Sequence, residues 1–387
     1  MLILKILFRN AFRNRLRTIL TLLGITIAIL AFGLLRTVIA AWYAGVEASS
    51  ATRLVTRNSI SIIFPLPLSY RDRIRQTSGV KLVSYGTWFG GVYVDEKNFF
   101  PNFAVDPQSF LDLYPEFLMS PGDKEAFLKD RKGFVAGRKL IERFGWKIGD
   151  IVTLKGTIFL GDWDFVLRGV YRGRDKGTDE TQFFFHWDYL NEGMKKRIAF
   201  HPWVDQVGYY MIGVTRPEVG GSVAASIDEG FKNSLAETLT ETEKAFQQGF
   251  VAMSGAIITA IQVVSYVVIV IILAVVANTM AMTTRERIGE YAVLKTLGFG
   301  RGHIAGLIFG ESFVITMMGC GLGMAATFPA AQLFSQTLGA YFPIFHVEPK
   351  TLYFDLATAG VVAGCAAIIP TMRAIRIRIA DGLRRIG

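Results

Sequence analysis

Four stretches of this chain hold no charged residue, and the segments separating them are polar. Positions 18–35 run uncharged for 18 residues, 251–284 for 34, 312–345 for 34 and 356–372 for 17. A helix needs about 20 apolar residues to cross bilayer hydrocarbon, so each stretch predicts a membrane span. The third can start at Ile304. Tyr353 and Phe354 lengthen the fourth, and Trp42 and Tyr43 close the first, since aromatic side chains favour the membrane interface.

Between the first two spans the pattern turns mixed, over a length of about 200 residues typical of one domain. Short β-rich runs at Ser59 to Phe64, Gly91 to Val94, Asp150 to Leu154 and Phe165 to Tyr171 predict strands, and Gly137 to Phe144 predicts a helix. Asp228 to Gln248 is rich in Ala, Leu, Glu and Lys, and no proline separates it from the second span. A continuous helix from about residue 228 to about residue 297 is expected, on the order of 100 Å long at 1.5 Å per residue. Gly220-Gly221-Ser222 reads as a turn.

The expected fold class is a membrane protein of four transmembrane helices with a large α+β extracytoplasmic domain between the first and second. The expected boundaries are an amphipathic helix at 1–17, spans at 18–42, 251–284, 304–338 and 351–372, the large domain at 43–250, a loop at 285–303 and a basic tail at 373–387. Residues 1–17 place Leu4, Leu7, Phe8, Phe12 and Leu16 at helical spacing beside Arg9, Arg13 and Arg17, and lead straight into the first span.

Charge orients this arrangement. The net +10 gathers in three places: +5 over 1–17, +2 over 283–303 and +4 over 371–387, while 43–250 carries 26 basic and 26 acidic residues. Basic short segments stay cytoplasmic, which puts both termini and the loop inside and 43–250 outside, without any need for a nucleic-acid partner. A composition of 51% hydrophobic and 19% charged residues argues against one ordinary soluble domain. The first apolar run is longer than the core of a cleaved secretory signal, so it is read as retained. Cys320 and Cys365 both fall inside spans, so no disulfide framework is expected, and both read as small packing residues.

Candidate chemistry concentrates in the loop. Over 283–297 a helix would gather Ile288, Tyr291 and Ala292 on one side, Glu286 and Glu290 on the other, and Arg285, Arg287 and Lys295 on the flanks. The two glutamates, four apart and of like charge, would be free to face a partner's basic groups. Gly298, Gly300 and Gly302 then permit a tight reversal before His303 and Ile304. Glu311 lies about two turns into the third span, read as snorkelling or paired with Arg13 or Arg373 ahead of a proton relay, and Arg36 is read as snorkelling. Gly306 with Gly310, Gly319 with Gly323 and Gly360 with Gly364 are spaced for close helix approach within a bundle or a dimer.

The stretch from Thr283 through Glu311-Ser312 resembles the FtsX-like permeases, the MacB and LolC type of ABC transporter subunit. Pro370 with Arg373-Ala374, Arg376 and Arg378 resembles the family's ending, and Asp381-Gly382-Leu383-Arg384 departs from it by lacking a proline. Asn102 to Pro107 and Gly145 to Leu154 look like parts of a MacB-type periplasmic core domain. That layout implies one subdomain from 46–97 and 203–235, with 98–202 inserted as a second.

The resemblance implies that the loop docks on a separate ABC ATPase through Arg285, Glu286, Arg287, Glu290, Leu294 and Lys295, then Leu297, Gly298, Phe299, Gly300, Arg301 and His303. It further implies a homodimer in the bacterial inner membrane, ATP and Mg held by the partner ATPase, and no cofactor in this chain. Motion would pass to the outer domain for export or extraction from the periplasm or outer leaflet, with an adaptor protein as a further partner. Lipoprotein release, as in LolC or LolE, and regulation of a cell-wall hydrolase, as in FtsX, are the alternatives. Catalytic signals are lacking: there is no phosphate-cradling Gly-x-x-x-x-Gly-Lys loop and no Gly-x-Ser-x-Gly elbow, and His186, His201, His303 and His346 are scattered.

Overall fold

The computed structural model describes residues 2–197, 202–338, 342 and 344–377, with side chains over 7–197, 202–335, 342 and 344–377. Arg378, Asp381 to Arg384 and His201 lie outside the described residues. Two units result, one from the described residues of 1–41, 254–337 and 345–387, the other from those of 42–253 and 338–344. The helices are α1 (Leu2–Ala11), α2 (Arg15–Ala48), α3 (Tyr70–Arg75), α4 (Pro107–Leu113), α5 (Pro121–Lys129), α6 (Arg138–Phe144), α7 (Trp187–Arg197), α8 (Gly220–Gly230), α9 (Glu243–Met253), α10 (Gly255–Glu286), α11 (Ile288–Thr296), α12 (Arg301–Leu338) and α13 (Pro349–Arg376). The strands are β1 (Arg53–Asn58), β2 (Leu66–Pro67), β3 (Val80–Trp88), β4 (Gly91–Val92), β5 (Asn102–Val105), β6 (Phe117–Leu118), β7 (Gly133–Gly137), β8 (Ile151–Gly156), β9 (Gly161–Gly173), β10 (Phe183–His186), β11 (Gln206–Val207), β12 (Tyr209–Val214) and β13 (Thr238–Thr242).

The second unit is built on one sheet in the order β13-β1-β12-β3-β5-β10-β7-β9-β8-β4, with β6 on β9 and a separate β2–β11 pair. Strand β10 is buried along its whole length, and its period of two divides the aromatics between faces. Phe183 and Phe185 join Phe89, Phe134 and Phe165 in one core, while Phe184 joins Phe110 and Tyr171 in the other. Pairing of β3 with β5 carries the sheet across the subdomain boundary expected from the resemblance, so the two expected subdomains form one sheet. A buried cation anchors its edge: Arg53 contacts Glu243 at 2.9 Å and Glu116 at 2.6 Å, with its guanidinium 4.2 Å from the Tyr114 ring centre.

Three local expectations fail here. Ser59 to Phe64 is not a strand; the strand is β1, which ends where the Asn58 side chain accepts from the Ile60 amide at 3.0 Å, an Asx turn. Ile60, Ile63 and Phe64 are left exposed. Gly220-Gly221-Ser222 opens α8 instead of forming a turn, after a short 3-10 segment at Pro217–Val219. The continuous helix from 228 to 297 is broken into α8, β13, α9, α10 and α11. The threonines at 238, 240 and 242 alternate as a strand requires, β13 pairs with β1, and Asp228 accepts hydrogen bonds from Thr238 and Thr240.

In the other unit four helices, α2, α10, α12 and α13, are long and apolar enough to cross a membrane. Helix α2 meets α10 through the Thr21–Thr279 hydroxyl contact at 3.0 Å and meets α12 at Gly319 and Gly323. Helix α13 meets α12 where the Ser312 hydroxyl donates to the Ala363 carbonyl at 2.8 Å, and it also packs along α10. The core inside this ring is Ile25, Ile29, Ile272, Val276, Ile308, Ala363 and Ala367 with their neighbours. The N-terminal segment does not run straight into the first span: helix α1 ends at Ala11, and the Thr18 hydroxyl closes the turn onto the Ala11 carbonyl.

Candidate functional site

Helix α10 stops at Arg287, whose backbone leaves helical geometry at φ −102° and ψ 13°. Helix α11 follows for nine residues. Gly298 ends it at φ +88°, a left-handed conformation that glycine adopts without strain, and the Phe299 amide reaches back to the Leu294 carbonyl at 3.0 Å. Helix α12 then begins at Arg301.

Below this turn lies an ion-pair network. Glu286 accepts from Arg17 at 2.8 Å and from Asn14 at 3.1 Å. Glu290 accepts from Arg13 and, at 2.9 Å, from Arg287. Arg287 also reaches Glu311 at 2.9 Å and lies over the Tyr291 ring. Partial burial by itself would push the Glu290 carboxyl up, but hydrogen bonds from Arg13 and Arg287 outweigh it and hold the group below its ordinary value. Glu286 and Glu290 are thus engaged within the chain, with side chains still 49% and 41% exposed. The end of α10 and the start of α11 bring the two glutamates to the connection after α1 and the first turn of α2, a proximity that periodicity does not encode.

Glu311 is paired, though with Arg287 instead of Arg13 or Arg373. Lys295 donates to the carbonyls of Ala374, Ile375 and Ile377 and so caps the end of α13. Burial, and then Arg301, push its ammonium down from the ordinary value. Leu294 packs on the bundle core. What remains open is the turn itself. Val293, Leu297 and Phe299 are exposed, as are Gly298, Gly300, Arg301, Gly302 and His303, with the Phe299 and His303 rings 5.8 Å apart. Arg285 is also exposed and lines, with Thr284 and Arg373, a crevice of about 220 Å³ between α10 and α13.

The glycines divide. A methyl group at Gly319 would stand 2.6 Å from Ile25, at Gly323 2.7 Å from Ile29, and at Gly310 2.8 Å from Leu7, so these three are closed against neighbours. A methyl group at Gly306, Gly360 or Gly364 would meet nothing within 4 Å among the described residues.

Residues 262–379, which hold α11, the turn, α12 and α13, match the family model described as the FtsX-like permease C-terminal. An FtsX-like permease C-terminal domain thus occupies this part of the chain. The chain is also similar to an uncharacterized ABC transporter permease of Methanocaldococcus jannaschii, 23% identical over 351 residues, which covers 82% of the chain and 80% of the relative. Two solved structures resemble part of it. The extracellular domain of the ABC-type transporter YknZ from Gram-positive bacteria is 11% identical with a TM-score of 0.34, over 49% of this chain and 100% of that domain. A domain of a permease protein from Porphyromonas gingivalis is 13% identical with a TM-score of 0.33, over 50% of this chain and 90% of that one. Both superpositions are too loose to support further argument.

Asn14 and Arg17 are site residues that sequence reasoning passed over, and Arg13, weighed there as a partner for Glu311, pairs with Glu290. Their basic character was legible, but not their proximity to Glu286 and Glu290.

Proposed function

We propose that this chain is the non-catalytic membrane subunit of an ABC system and that the turn 297–303 docks on a separate ATPase. One observation carries this: exposed apolar side chains at Val293, Leu297 and Phe299 stand on and just after a short helix held by Arg13, Arg287 and Lys295. Apolar knobs on a fixed support fit a protein partner, because burying them against a groove is favourable and little conformational entropy is lost in ordering them. In this reading two copies assemble with two ATPases, which hold ATP and Mg. Nucleotide-driven closure pushes on α11 and, through its ion pairs, on the start of α2 and on α12. The first span leads by chain connection into the sheet unit, so the motion serves export or extraction on that side of the membrane.

The full chain carrying Leu297→Asp with Phe299→Asp tests this. It should insert and fold as before but no longer co-purify with the ATPase, because two charges replace the apolar contact. Retained association with ATP-dependent activity intact would remove the docking assignment.

A further inference from the structure

Among its described residues the membrane unit buries two carboxyl groups, Glu311 and Asp355, and only the first has an ion-pair partner. Glu311 faces Arg287 at 2.9 Å. Asp355, in the second turn of α13, is 0% exposed, and neither carboxyl oxygen has a hydrogen-bond partner among the described residues. It lies where three spans converge. A methyl group at Gly33 of α2 would stand 3.4 Å from Asp355 Oδ2 and 3.1 Å from Thr327 Oγ1 of α12. The nearby Thr327 hydroxyl is committed elsewhere, donating to the Gly323 carbonyl at 2.9 Å.

Titratable and charged groups around it are few. Helix α2 offers Arg36, one turn beyond Gly33, whose guanidinium lies 4.4 Å from the Phe354 ring centre and forms no ion pair with Asp355. Helix α12 offers the Cys320 thiol, 3.7 Å from the Asp355 carbonyl oxygen, and no charged residue beyond Glu311. Helix α10 has no charged residue between Gly255 and Thr284, and α13 itself has Lys350 and Tyr353 near its start, preceded by Glu348, then Cys365, with Arg373 and Arg376 at its far end.

We propose that Asp355 is a proton-binding site inside the membrane unit, occupied in this arrangement and vacated when the first and fourth spans shift to bring Arg36 onto the carboxylate. An ionised, unpaired carboxylate shut away from water costs far more than the protonated acid, so the group holds its proton while Arg36 rests on Phe354. On release, the O–H bond breaks, the proton passes to water, and the guanidinium supplies the counter-charge; no other bond changes. The site does not depend on the ATPase reading, since it requires only the spans.

Dicyclohexylcarbodiimide tests it. This apolar reagent adds to a shielded, protonated carboxyl, taking the acid proton onto nitrogen and bonding the carboxyl oxygen to carbon. The full chain in phosphatidylcholine vesicles near neutral pH should be labelled at Asp355 and not at ion-paired Glu311, as read by peptide mass spectrometry, with the label absent from Asp355→Asn. In Arg36→Gln, labelling should persist to higher pH than in the parent chain, because the competing cation is gone. Absence of label at Asp355, labelling of Glu311 at the same rate, or a pH profile unmoved by Arg36→Gln would overturn the proposal. The comparison of the two acids within the parent chain needs no variant to fold.

Discussion

The two units of this protein are held by opposite means. The sheet unit fills its core with bulk: Phe89, Phe134, Phe165, Phe183 and Phe185 stack or meet edge to face, with the Phe134 and Phe183 centroids 4.1 Å apart. The bundle does the reverse, omitting side chains so that helices touch at Gly319 and Gly323. In water, large apolar groups supply the driving force through the area they remove from solvent. Between helices in lipid that force is largely missing, so close contact, hydrogen bonds and ion pairs carry the association. The lesson is that one composition rich in apolar residues hides two different packing economies.

The largest test of the contrast is Phe183→Ala, which empties the centre of the sheet unit and should cost about 3–5 kcal/mol. Its thermal unfolding in detergent should show the loss in the transition of that unit. Second, Gly323→Leu places a side chain where Ile29 and the Thr26 carbonyl already stand and should cost about 1–3 kcal/mol or more. Gly364→Leu, which meets open space, should leave the melting of the single chain unchanged. Equal tolerance at the two glycines would show that proximity is not what holds the bundle.

Third, Glu311→Ala leaves Arg287 half-deprived of its carboxylates, and a loss of about 1–3 kcal/mol is expected because Glu290 still pairs with it. Fourth, and smallest, is a pH effect at the rim. Glu290 titrates lower in the folded chain than unfolded, so its contribution is complete above the ordinary carboxylate range and is lost as pH falls through the lowered folded value. Melting temperature followed downward from neutral pH should decline less steeply in Glu290→Gln than in the parent, and an identical slope would remove Glu290 from the account.

Much of this was legible beforehand, and what was missed has a common cause. Runs without charge marked the four long helices because lipid imposes a length and a polarity that a linear sequence displays directly. The β-rich runs marked β4, β8 and β9, and the exposed turn's glycines stood out for their conformational freedom. The reading of 228–248 as helix failed because composition was weighed over alternation: Thr238, Thr240 and Thr242 belong to a strand once β1 is there to pair with them. Glu286 and Glu290 were read as open because a helix pattern shows which face a residue occupies, not what lies opposite.

By itself the sequence determined where the chain could enter a membrane, where it could not, and which segment was both charged and bounded by glycines, since those depend on local length, hydropathy and backbone freedom. Only the tertiary structure decided which charges meet. Pairing Arg287 with Glu311 and leaving Asp355 beside Gly33 without a partner requires helices distant in sequence to converge, and an electrostatic interaction acts through the distance between groups in space, whatever their separation along the chain.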